Sequence, residues 1–169
     1  MTSPRQGKYS TLFNRNVSLL WFGQLVSQAG DSVTHMAVIW LILDLTGSPS
    51  LTGFIAFAAT APALVFGLFA GVLADHYRRR SLMMISDFAR FFLILLIPIF
   101  YSLDMLSPLT LAIIVFCVAT FGTLFNPSRD AIIPELVARN LILKVNTLIQ
   151  STGYLAYFVG LFGAGMLLA

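Results

Sequence analysis

Charge is what this chain lacks. Only 10% of its 169 residues are Asp, Glu, Lys or Arg, against 58% hydrophobic residues. A soluble domain carries about 25% charged residues. The 15 phenylalanines stand against only two lysines, Lys8 and Lys144. So few charges cannot cover a water-facing surface, which excludes an ordinary soluble enzyme. Disorder is excluded as well, because it requires low hydrophobicity and high charge. The single cysteine, Cys117, leaves no partner for an intrachain disulfide and no Cys-based metal cluster. Net charge is +3, and the one dense basic run is Arg78-Arg79-Arg80, so nucleic acid is not an expected partner. No G-x-x-x-x-G-K-[ST], H-E-x-x-H or G-x-S-x-G is present. ATP, metal or another cofactor, and enzymatic chemistry, are therefore not expected. The first 16 residues are polar and the apolar stretch after them is too long for a signal-peptide core.

What is present is a series of long apolar runs. A spanning helix needs roughly 20 mostly apolar residues, and five such runs are legible. They lie over about 17–43, 51–74, 82–103, 107–126 and 145–169. The fold class expected is thus an all-α, multi-pass transmembrane helix bundle, residues 17–169, preceded by a polar segment over 1–16. The links alternate. Those at 44–50 and 104–108 are short and carry only Asp44 and Asp104, whereas those at 75–81 and 127–144 are basic. Nine of the ten Lys and Arg residues fall before the first run or at the basic links, Arg90 lies just past the 75–81 link, and none lies at the other two links. The positive-inside rule then places the N-terminus and both basic links in the cytoplasm, with the lipid bilayer of a cell (inner or plasma) membrane as first partner. Five spans from a cytoplasmic start bring Ala169 to the far side with no polar tail. The sequence therefore reads as the N-terminal part of a longer protein, the alternative being a genuine five-span protein.

Polar groups inside the apolar runs are the candidates for function. Asp31 lies near the centre of the first run, where a charge costs from about 3 to more than 10 kcal/mol. Trp21, Gln24, Gln28, Asp31 and His35 recur at three- and four-residue spacing and so share one helix face. Leu19, Phe22, Val26 and Val33 occupy the other side. One reading is a wall of a water-filled path, with Asp31 as the candidate for cation or proton coupling. The other is that these groups bond to neighbouring helices in a packed bundle. A second stripe, Asn146, Gln150, Tyr154 and Tyr157, marks the fifth run and suits either an amphipathic organic molecule or interhelical bonding. Asp87 and Arg90 read as a local pair. The small residues of the second run, with Gly153, Gly160, Gly163 and Gly165 of the fifth, read as packing faces. Pro62 and Pro98 permit bending.

The link after the second run, Gly71-Val72-Leu73-Ala74-Asp75-His76-Tyr77-Arg78-Arg79-Arg80, resembles the cytoplasmic signature G-x-L-A-D-R-x-G-R-[RK] of the major facilitator superfamily. Gly71, Leu73, Ala74, Asp75, Arg79 and Arg80 match, while His76 and Arg78 depart from it. Asp75 closes a helix whose dipole disfavours a negative charge there, so it needs a compensating cation or helix N-terminus. The resemblance implies that Gly71, Asp75, Arg79 and Arg80 form a cytoplasmic gate against a helix of the second half. Two further stretches are similar to the branch holding macrolide-efflux and enterobactin-export proteins. One runs from Asn14-Arg15-Asn16 through Leu20-Trp21, Gly23-Gln24 and Gly30-Asp31, and the other is Phe125-Asn126-Pro127-Ser128-Arg129-Asp130 and its continuation to Val137. Gly160–Gly165 only echoes the antiporter G-P-x-x-G-G. Where many drug antiporters carry an intramembrane Arg in the fourth span, this chain has Cys117, Thr120 and Thr123.

The resemblance implies the first five of twelve spans, with the C-terminal half missing. It implies a secondary transporter that exports an amphipathic organic compound (drug, antibiotic or siderophore) by alternating access, driven by protons. Gln24, Gln28, Asp31, His35, Gln150 and Tyr154 would line the substrate and proton pathway. A non-transporting membrane scaffold or partner subunit, or a nonfunctional transporter fragment, is the alternative.

Overall fold

A computed structural model of the chain describes residues 15–168. It consists of five long helices: α1 (Arg15–Thr46), α2 (Pro49–His76), α3 (Arg79–Ser102), α4 (Pro108–Leu136) and α5 (Ile142–Leu168), with a 3-10 turn at Arg139–Leu141 before α5. The all-α class expected from the apolar runs is what is observed. By length and composition α2, α3 and α4 each suffice to cross a membrane. The apolar run of α1 is interrupted by Gln24, Gln28, Asp31 and His35. Arg5, Lys8 and Asn14 lie outside the described residues.

The turn chemistry is written locally. Gly47 adopts φ 61°, which glycine tolerates without strain, and its N–H closes α1 on Leu43 O at 2.7 Å. Ser48 then caps α2, its hydroxyl accepting from Leu51 N at 3.4 Å, with Pro49 at the first helical position. The α3–α4 link repeats this pattern. Asp104 takes φ 55°, Met105 N bonds Phe100 O at 2.9 Å, and Ser107 Oγ accepts from Thr110 N at 3.1 Å ahead of Pro108.

One boundary differs from the sequence reading. The fourth helix does not stop near Asn126 but runs to Leu136, through Pro127 and Pro134. Each proline removes one backbone donor, a loss a long helix survives when its neighbours hold it. Ser128 Oγ bonds Leu124 O at 2.8 Å. Beyond it Ile133 and Val137 are buried, so this last stretch is fixed by packing and not by its own propensity. The link expected over 127–144 shrinks accordingly.

The chain divides into two compact units. The first comprises residues up to Ala37 together with those from Ile132 onward. Its core joins Val17 at the start of α1, Ile133 and Val137 at the end of α4, and Val145 and Ile149 at the start of α5. Trp21 Nε1 donates to Thr152 Oγ1 at 2.9 Å. Further along, Gly153 lies against Gln28 and Gly160 against Ser32. Both residue numbers rise together, so α1 and α5 run parallel and α4 enters their N-terminal end. Leu19, Phe22 and Val26 stay exposed while Gln24 and Ser32 are buried, the inverse of a soluble helix and suited to lipid outside.

The second unit is Val38–Ala131. Val38 and Ile42 of α1, Ile55 of α2 and Leu111 and Ala112 of α4 form its core, with Ile97 and Leu106 packed against them. These residues come from the helix ends beside the two short links. Along the α3–α4 pair, Ser86 Oγ donates to Phe121 O at 2.6 Å and Arg79 Nη1 donates to the Ala131 carbonyl. The numbers run in opposite directions, so α3 and α4 are antiparallel.

Candidate functional site

The polar face of α1 turns toward α5 inside the first unit. Gln28 Nε2 donates to Gln24 Oε1 at 3.2 Å, and Ser32 Oγ donates to the Gln28 carbonyl at 2.8 Å. Opposite them α5 offers glycine. A Cβ on Gly153 would overlap the Gln28 side-chain amide, and one on Gly160 would overlap Ser32 Cβ. Missing side chains on α5 thus make room for polar ones on α1, the close approach that small residues allow. The result is an open groove of about 260 Å³ lined by Gln28, Asp31, Ser32, His35, Gly153 and Tyr157.

Of the residues expected on a pathway, Gln28, Asp31 and His35 line this groove. Gln24 is buried, 4% exposed, and orients Gln28 from behind. Gln150 and Tyr154 are exposed and do not line it. Tyr157, one turn further along the α5 stripe, takes the place expected of Tyr154. Sequence reasoning missed Ser32 and Gly153 as lining residues. The available signal was the seven-residue spacing of Gly153 and Gly160, which sets both on one face of α5.

In the second unit, Asp75 is exposed in the last turn of α2 and His76 Nδ1 sits 2.9 Å from Val72 O. Arg79 opens α3 and is held by the Ala131 carbonyl, while Arg80 is exposed. A Cβ on Gly71 would meet nothing within 4 Å among the described residues. Asp87 Oδ1 and Arg90 Nη1 are 3.9 Å apart, the local pair read from their i,i+3 spacing. Thr120 and Thr123 bond their own helix, at 2.8 and 2.7 Å. Among the described residues no cluster of His, Cys, Asp and Glu could hold a metal.

Chemically, the groove brings one carboxylate, one imidazole and one phenol beside an amide and a hydroxyl. It can bind a polar or ionic group and carry a proton. The hydroxyl hydrogen of Ser32 is held by the Gln28 carbonyl.

Long apolar helices of this kind, with no strand among the described residues, define an all-α, multi-pass membrane protein. Residues 6–169 match the family described as transmembrane secretion effector, and the chain belongs to that family, within the major facilitator superfamily. It is similar to the multidrug efflux pump Tap of Mycobacterium tuberculosis, 30% identical over 156 residues covering 89% of this chain and 37% of the relative. It is also similar to macrolide efflux protein A of Streptococcus pyogenes, 31% identical over 143 residues, covering 83% of this chain and 35% of the relative. An uncharacterized MFS-type transporter of Bacillus subtilis, YvqJ, is 28% identical over 144 residues, 84% of this chain and 34% of the relative. The chain therefore spans little more than a third of the length of the curated relatives it matches. No solved structure matches it.

Proposed function

We infer that the chain is the N-terminal part of a secondary transporter that exports an amphipathic organic compound by proton-driven alternating access. The observation that carries this reading is the groove of Gln28, Asp31, Ser32, His35, Gly153 and Tyr157. A carboxylate and an imidazole within an otherwise apolar bundle are costly, and such groups in membranes serve pathways and proton relays. The efflux names of the relatives support the direction of transport.

All five helices cross the membrane in this reading, α1 and α5 with their polar faces turned inward. The basic links face the cytoplasm of a cell-membrane protein, and the parallel course of α1 and α5 agrees with two odd-numbered spans. The Gly71–Arg80 segment gates the cytoplasmic side. Arg79 is braced to α4, leaving Asp75 and Arg80 exposed for a partner helix. Asp75→Asn then slows cycling and changes the accessibility of cysteine probes on that side.

The test is drug efflux from energised membrane vesicles made with the gene product that carries this chain. Asp31→Asn is expected to abolish the response to an imposed proton gradient at unchanged protein level. Gradient-driven efflux at the wild-type rate in that variant would remove Asp31 from coupling. Absence of efflux in the unaltered protein would favour a scaffold or partner-subunit role.

A further inference from the structure

We propose that the end of the first unit where α1 and α5 begin is a docking site for the headgroup of an anionic phospholipid, held by Arg15, Arg139 and Lys144. The proposal goes beyond the transport reading and needs only that α1 and α5 cross a membrane. Three segments supply the cations. Arg15 opens α1, Arg139 opens the 3-10 turn and Lys144 lies in the first turn of α5. All three are exposed.

Packing brings them to one place. Val17, Val137 and Val145 are buried in a single apolar cluster, and each lies one or two residues from one of the cations. The register of the parallel pair gives the same placement. Trp21 is level with Thr152, Gln28 with Gly153 and Ser32 with Gly160. Followed back to the start of both helices, these offsets set Arg15 level with residues 140–146, which include Lys144. Packed helices stand about 8–10 Å apart, so long cationic side chains on the two lie within reach of one phosphodiester.

Charge at this end is one-sided. Over residues 15–21 and 132–146 the chain carries these three cations and one acid, Glu135, in the last turn of α4. Cations gathered by packing repel one another, and a bound anion offsets that cost. Both helices also direct the positive ends of their dipoles to this side.

Depth favours a lipid over a free anion. Leu19 lies one turn beyond Arg15, Leu143 stands beside Lys144, and both leucines are exposed. Exposed leucine next to exposed cation marks the boundary between hydrocarbon and headgroups, where Lys and Arg extend toward the polar layer. A phospholipid meets both halves of that surface, its acyl chains on the leucines and its phosphate on the cations. Basic pockets between spanning helices hold acidic headgroups in this way. In the orientation inferred above, the lipid belongs to the cytoplasmic leaflet.

The test is lipid titration of the purified protein, read by native mass spectrometry as it is released from detergent micelles. Dioleoylphosphatidylglycerol is the probe and dioleoylphosphatidylcholine the zwitterionic control. Saturable binding of the glycerol lipid is expected at least about tenfold more tightly than of the choline lipid, a comparison that needs no variant. Arg15→Gln, Arg139→Gln and Lys144→Gln should each weaken it about fivefold, the usual contribution of one cation near an anionic surface. The triple variant should bind both lipids alike. Arg15→Lys and Arg139→Lys should retain the preference. Arg78→Gln, which removes an exposed cation from the α2–α3 link, should change it less than about twofold.

Equal binding of the two lipids by the unaltered protein would overturn the proposal. So would a loss in Arg78→Gln as large as in the three rim variants, which would make the attraction a diffuse effect of net charge. Displacement of the glycerol lipid by millimolar inorganic phosphate would assign the site to a free anion instead.

Discussion

Trp21 of α1 and Thr152 of α5, 131 residues apart in sequence, meet in a hydrogen bond of 2.9 Å from the indole N–H to the threonine Oγ1. The Thr152 hydroxyl donates a hydrogen bond to Leu148 O at 2.7 Å, so the threonine is oriented by its own helix while its oxygen accepts from the tryptophan. The bond pins the parallel pair beside the groove, about two turns before Gln28 on α1 and one residue before Gly153 on α5. It fixes the relative height of α1 and α5, and with it which α5 residue faces Gln28.

The Trp21 bond is predicted to stabilise the pair modestly. Interhelical hydrogen bonds in membranes contribute about 0.6 kcal/mol on average, with a maximum near 1.7. Trp21→Phe and Thr152→Val should each lower stability by roughly that amount, measured by unfolding in a denaturing detergent. The double variant should lose no more than the larger single loss. Fully additive losses would show that the two side chains act independently.

The two glycines facing α1 differ in what they would strike. A Cβ at Gly153 meets only the far end of the Gln28 side chain, which can swing aside, whereas at Gly160 it meets Ser32 Cβ with backbone behind it at 3.5 Å. Gly160→Ala should therefore cost more, in the range of about 1–3 kcal/mol for overpacking. Gly153→Ala should be milder in stability yet alter the groove by displacing Gln28. Equal unfolding midpoints for the two variants would contradict this ordering.

Arg79 and Arg80 are neighbours with different duties. Arg79 donates to the Ala131 carbonyl, and a hydrogen bond involving a charged group contributes about 1.5–3 kcal/mol. Arg79→Gln is expected to destabilise the α3–α4 pair by about 1–2 kcal/mol, allowing for partial solvent access. Arg80→Gln should stay within roughly 0.5 kcal/mol, as exposed substitutions do. Thermal unfolding of the two variants side by side decides the point, and an equal loss in both would refute the brace.

Ser86 offers a comparison within the same helix pair. It is fully buried and bonds Phe121 O at 2.6 Å. Ser86→Ala removes one bond, costing about 1 kcal/mol. Ser86→Leu also forces extra atoms between α3 and α4, and should cost about 1–3 kcal/mol more. A leucine variant as stable as the alanine one would mean that the helices are looser there than the burial implies.

Topology is open to a labelling test. With Cys117 replaced by Ala, single cysteines at Ser48 and Ser107 are expected to react with a membrane-impermeant thiol reagent added outside intact cells. Cysteines at Arg80 and Asn140 should react only after permeabilisation, as the distribution of Lys and Arg requires. Outside labelling at Arg80 would invert the orientation.

The sequence by itself determined the elements, because their causes are local. Long apolar runs impose helices where backbone groups have no water to bond. Gly47-Ser48-Pro49 and Ser107-Pro108 end and restart those helices by chemistry confined to a few residues. The polar face of α1 followed from spacing alone, as did the Asp87–Arg90 pair. What only the tertiary structure decided is how those faces meet. Helix spacing puts Asn146, Gln150, Tyr154 and Tyr157 on one stripe, and nothing local says which part of it reaches α1. The choice of Tyr157 over Tyr154 and Gln150 depends on the height of α5 against α1, set by the Trp21–Thr152 bond and by the contacts of Gly153 and Gly160. The continuation of α4 past Pro127 was hidden for the same reason. Its propensity is poor, and it is held by burial of Ile133 and Val137 beside Val17, Val145 and Ile149, residues more than a hundred positions away at one extreme. Local chemistry fixes a helix and its faces, whereas register between helices is a property of two segments at once and is settled by packing.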